Sequence, residues 1–188
     1  LEPSGGPVSA ISENYKASSM VISERLRSFV AGRDNLCERV SRQAARALFL
    51  IGSNRVLSEM NAVFAEAEPV PGIDWAEERL LLRRLEQSTH ADAGKAMGQA
   101  VANAEELFRS SAEIRRMMLG LDTIRVLGRV ECGRMRDASG GLSSTIDQLD
   151  VFHDDIKSRL ESIMRLSEDI GTAMNRFLRE EQVRAVAG

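Results

Sequence analysis

The stretch Val130-Glu131-Cys132-Gly133-Arg134-Met135-Arg136-Asp137-Ala138-Ser139-Gly140-Gly141-Leu142 decides the fold. A long helical pattern stops in it, turns over a glycine pair and starts again. Upstream, Ile114, Met117, Leu121, Ile124, Gly128, Glu131 and Met135 alternate in steps of three and four. Downstream, the same steps run through Leu142, Ile146, Leu149, His153, Ile156, Leu160, Ile163, Ser167, Ile170, Met174 and Phe177. A seven-residue seam on each side of one turn is the pattern of two helices that pack along their length. Residues 75–186 are therefore expected to form a long antiparallel helical hairpin with its tip at 136–141.

Outward from the hairpin, Pro69-Val70-Pro71-Gly72-Ile73-Asp74 marks a second reversal. The prolines remove helix donors, and Asp74 is placed to cap the helix that follows, with Trp75 just inside its start as an anchor. Before that break, residues 8–68 contain no proline, and Ile11, Tyr15, Ile22, Leu26, Phe29, Leu36, Val40, Leu48, Ile51, Leu57 and Phe64 fall near one face. They read as one long helix, or as two joined near Gly32 or Gly52. Residues 1–7, rich in Pro, Ser and Gly, read as a disordered lead-in. The expected class is all-α, a coiled-coil helix bundle of three long helices. His90 to Ala104 is rich in Ala and Gly and is the expected site of a bend.

Composition narrows the function. In 188 residues there are one Trp, one Tyr and six Phe, which suits narrow helix seams filled by aliphatic side chains. The 25 basic and 28 acidic residues are interspersed, without the basic face that nucleic-acid binding needs. No run approaches the roughly 20 apolar residues required to cross a bilayer. The chain begins Leu1-Glu2-Pro3 without an initiator Met, which reads either as a piece of a longer protein or as an added leader, and membrane attachment is expected only through a segment outside it. Cys37 and Cys132 lack metal-ligand spacing and read as free thiols of a reducing, cytoplasmic compartment.

The turn region, Ile124 to Asp150, resembles the cytoplasmic hairpin tip of bacterial methyl-accepting chemotaxis receptors. Val130-Glu131 stands at that family's Ile-Glu, Arg134 at its Arg, Asp137 at its Glu, and Gly141-Leu142 at its Gly-Phe, without a gap. Departures are Gly140 for an Arg, Arg136 for a Gly, Leu127 for an Asn, Ser144-Thr145-Ile146 for Val-Val-Ala, and Gln148 for a Glu. Val151, Phe152, Met164 and Leu166 lie off the seam of the last helix, and a homodimer is expected to cover that flank; the resemblance implies that such a bundle transmits signals mechanically. It also implies a protein partner, a coupling protein or histidine kinase, at a tip surface of Glu131, Arg134, Asp137, Gly141 and Leu142. Adaptation in that family uses methyl-accepting Glu pairs, for which Ala104-Glu105-Glu106 is the candidate on the second helix. A solvated acidic face is the preferred reading of Glu105 and Glu106. The alternative is a structural or scaffolding coiled-coil protein whose tip is only a turn.

An enzyme is not expected, and no catalytic, cofactor or metal residues are assigned. Phe152-His153-Asp154-Asp155-Ile156-Lys157 superficially suggests the phospho-acceptor helix of sensor kinases, but aligning Ile156, Lys157 and Leu160 puts Asp154 at the acceptor position. His153 reads instead as a polar residue on the seam. Neither His90 nor His153 has a glutamate three residues before it, which a di-iron bundle would need.

Overall fold

The structure is a computed structural model that describes residues 6–32, 35–134 and 140–187. These form four α-helices, α1 (Pro7–Val30), α2 (Leu36–Glu66), α3 (Trp75–Arg134) and α4 (Gly140–Ala187), with no strand among the described residues. Three helices were expected, and the difference lies at Gly32. Its φ of 89° is a left-handed conformation that ends α1. Asn35 holds the end by donating from Nδ2 to the Gly32 carbonyl at 2.9 Å and to that of Val30 at 3.3 Å. Gly52, the other proposed joint, stays inside α2.

The second reversal is built as the sequence reading expects. Asp74 Oδ1 accepts from the backbone N–H groups of Ala76 and Glu77, both at 3.1 Å, and Gly72 turns the chain at a φ of 91°. Trp75 packs against Phe64 with ring centroids 5.3 Å apart, and its Nε1 donates to the Val70 carbonyl. The Arg79 guanidinium lies 5.9 Å from the Trp75 ring and donates to the Phe64 carbonyl at 2.7 Å. A cation thus closes the carbonyl end of α2, which has no basic residue in its own last turn.

The chain divides into two compact units. Unit 1 comprises 1–37 with 106–168, and unit 2 comprises 38–105 with 169–188. In unit 2 the core is made of small side chains: Ala47, Ala93, Ala96, Met97, Ala100 and Met174 cluster, with Leu50, Ile51, Val101, Ile170 and Phe177 packed around them. The Ala/Gly-rich run lies within the continuous helix α3 and supplies a packing face there. Small residues permit close helix approach there.

In unit 1 the α3 and α4 segments run antiparallel, since Arg115 pairs with Glu161, Asp122 with His153 and Arg129 with Asp147. The α1 helix runs antiparallel to α3, with Tyr15 at the level of His153 and Arg25 on Glu113 at 2.9 Å. Buried residues on α4 recur every seven positions, at Ile146, His153, Leu160 and Ser167. On α3 they are Leu107, Ser111, Ile114, Met118, Leu121 and Cys132, so the seam takes Met118 where the sequence reading placed Met117, and Cys132 where it placed Glu131. Gly128 lies between, and a Cβ there would touch Ile11 and Ile146, each at 3.8 Å.

Candidate functional site

Two groups of side chains in unit 1 are candidates, a polar chain through the bundle and the exposed end of α3. The polar chain begins on α1. The Tyr15 hydroxyl lies 2.8 Å from His153 Nε2, and His153 Nδ1 lies 3.1 Å from Asp122 Oδ1. A carboxylate only accepts, so Nδ1 donates to Asp122; in the neutral imidazole Nε2 then accepts the Tyr15 proton. Asp122 also receives Lys157 Nζ on its other oxygen and Arg125 at 3.4 Å. Arg125 continues to Asp150, which also takes Arg129, and Arg129 reaches Asp147 at 2.7 Å. Three carboxylates balance three cations.

Burial makes this chain structural in effect. His153 is 3% exposed, and both of its ring nitrogens are occupied by partners on two other helices. Burial pushes the Asp122 carboxyl up, but hydrogen bonds from Lys157 and His153 and the charges of Lys157 and Arg125 outweigh it and hold it below the usual carboxylate range. Burial raises the Tyr15 phenol, against smaller lowering by Ser19 and Arg125, so at neutral pH it keeps the proton it donates to His153. The hydrogen bond from Arg129 to Asp147, with the Asp150 charge, raises Arg129. The arrangement can fix the register of three helices. Its imidazole is too enclosed to meet a substrate.

The end of α3 is of the opposite character. Glu131 accepts from Arg134 at 2.8 Å, an i,i+3 pair on one helix, with Arg134 well exposed and Glu131 about a quarter exposed at 24%. Beside it Val126, Leu127 and Val130 are each half exposed. Of the tip residues singled out in the sequence, Asp137 lies outside the described residues. Gly141 and Leu142 fall in the first turn of α4, with side chains outside them. Glu105 and Glu106 are exposed on α3, each with an interaction partner. Cys37 and Cys132 are free thiols, and burial raises that of Cys37.

Asp122, Arg125, Arg129 and Lys157 were not singled out in the sequence, although a signal exists. Asp122 and His153 lie nearly equidistant from the middle of the turn, and the charges at 122, 125 and 129 face those at 147, 150 and 157 with opposite signs. Only the register of the reversal brings them together. Among the described residues no group of His, Cys, Asp and Glu is placed to hold a metal ion, and no helix is long and apolar enough to cross a membrane. No family model matches the chain, and no curated protein or solved structure matches it.

Proposed function

We propose that the chain is a non-enzymatic signal-transduction module of the chemotaxis-receptor type, working as a cytoplasmic homodimer that relays changes in helix packing to a protein partner. In this reading residues 75–186 form a long antiparallel hairpin of coiled-coil character. Its tip carries the partner surface, with Glu131, Arg134, Asp137, Gly141 and Leu142 as the contact residues. Any membrane attachment comes through a segment outside this chain. The observation that carries the reading is the exposure of Val126, Leu127 and Val130, half in solvent on the same stretch as the Glu131–Arg134 pair. Apolar side chains rimmed by an ion pair are the composition of a protein-binding surface.

The relay has a physical basis in unit 1. The polar contacts of α1 there include Tyr15 to His153 and Arg25 to Glu113, and Ile11 sits near Gly128, not far from the tip. A pull on α1 would act on α3 and α4 through those points, and interfaces of packed helices shift between discrete arrangements. A scaffolding role is the second reading, favoured by the outward apolar residues of α2.

Surface binding of the full chain to a chemotaxis coupling protein tests the first reading. Glu131→Ala and Arg134→Ala are expected to weaken binding by about tenfold, the effect of losing one interface hot spot. A wild-type chain that does not bind the coupling protein or its kinase, or variants that bind as well as wild type, would overturn it.

A further inference from the structure

Helix α1 is held unevenly along its length. Its second half is anchored: Ile22 and Phe29 are each only 4% exposed, and Arg25 pairs with Glu113 on α3 at 2.9 Å. Over residues 9–19, by contrast, no side chain is buried. The contacts of that half with α3 and α4 include Ile11 at Gly128 and Tyr15 on His153. The first turn carries no side-chain cap on its free N–H groups. A segment with little buried apolar area and an open helix end has a low free energy of local opening.

What lies beneath that half is well enclosed. Ile11 Cγ2 and Ile146 Cδ1 converge on Gly128, each 3.8 Å from the place of its missing Cβ, so Ile11 sits over the groove between α3 and α4. Cys132, Ile146 and His153 are 6%, 7% and 3% exposed, and the Tyr15 ring stacks on the imidazole with planes 8° apart. Because α1 and α3 run antiparallel, one turn beyond the Ile11–Gly128 contact the first turn of α1 is level with Cys132. Glu131 lies beside Cys132, and its side chain is 24% exposed against 72% for its partner Arg134. The weakly held half of α1 thus lies over buried seam residues of α3 and α4, at the end that carries the tip surface.

We propose that residues 7–19 are a strap that opens as a unit about the anchored second half of α1, and that its closed position restrains partner binding beside Glu131. Closed, the strap places Ile11 over the groove and stands level with Glu131 and Cys132. Open, it uncovers Cys132 and Ile146 and widens the apolar surface of Val126, Leu127 and Val130. A partner that takes up the widened surface binds only the open fraction, so its apparent affinity is reduced by that fraction. The gating rests on the tip reading above, whereas the opening does not.

Cys132 reports the opening in the full chain, with Cys37 on α2 as the reference thiol. Alkylation by N-ethylmaleimide is followed at each cysteine by mass spectrometry. In wild type the Cys132 rate is expected to stay flat in urea below the unfolding transition, as for an opening that exposes little surface. Ile11→Asp, which puts a charge over the groove, should raise the rate about tenfold or more. Tyr15→Phe, which leaves His153 Nε2 without its donor, should raise it about threefold, with Cys37 unchanged in both variants. Binding to the coupling protein should tighten about threefold or more in Ile11→Asp. A Cys132 rate that climbs with urea as global unfolding does, or one indifferent to both substitutions, would overturn the strap. Equal or weaker partner binding in Ile11→Asp would overturn its gating of the tip. If Glu131-dependent binding is seen while Cys132 ignores both substitutions, the strap fails alone. If Cys132 follows these rules and no variant binds the coupling protein or its kinase, the signalling reading falls and the gating with it, while the opening stands.

Discussion

Replacing Asp122 with alanine is expected to cost about 2–4 kcal/mol of stability in unit 1, measured by urea unfolding followed by circular dichroism. The carboxylate takes His153 on one oxygen and Lys157 on the other, with Arg125 beside it. Truncation leaves an enclosed imidazole N–H with nothing to accept it and takes from Lys157 its closest carboxylate, while Arg125 keeps Asp150. Asp122→Asn should cost less, since an amide oxygen still accepts one hydrogen bond. The pH dependence follows from the direction of the shift. Asp122 is held below its ordinary value in the fold, so it contributes stability above the unfolded-state value of about 4, and that contribution disappears as pH falls through the lower folded value. Wild type should lose stability on acidification below about pH 4 more steeply than Asp122→Asn. Equal acid sensitivity would remove Asp122 from the centre of the network.

Leu160→Ala should be the most damaging apolar truncation on α4, at about 2–5 kcal/mol, because Leu160 is only 1% exposed and its loss opens a cavity. Leu166→Ala, six positions later on the same helix and 57% exposed, should fall within about 0.5 kcal/mol of wild type. The pair uses one residue type and one substitution, so intrinsic helix propensity cancels. Comparable losses at the two sites in thermal unfolding would contradict the assignment of the seam. That assignment follows the heptad Ile146, His153, Leu160 and Ser167, with Leu166 off it.

The α4 heptad from Ile146 to Ser167 was legible in the sequence because its positions recur every seven residues, although Val151, Phe152 and Leu166 add exposed apolar side chains off it. On α3 the same rule placed the seam one residue early at two points, Met117 for Met118 and Glu131 for Cys132. Both are places where two adjacent residues tolerate burial, and periodicity alone does not choose between neighbours. The joint at Gly32 was one of two candidates. Asn35 made the difference, since its amide reaches back to the carbonyls that α1 leaves open.

The Ala-rich stretch of α3 was not recognised as a packing face, because small residues supply little apolar area on their own. Their contribution depends on close approach to Ala47 and Met174 from distant parts of the chain. His153 was recognised as polar and seam-facing, while its partners Tyr15 and Asp122 were not. They lie 138 and 31 residues away, and no local pattern marks such pairings.

Hydrogen–deuterium exchange of the full chain, alone and with a chemotaxis coupling protein, locates any partner surface. Slower exchange over Val126–Arg134 is expected when the partner is added, with α2 unchanged. Protection confined to α2, or none in either segment, would contradict a partner surface at the end of α3.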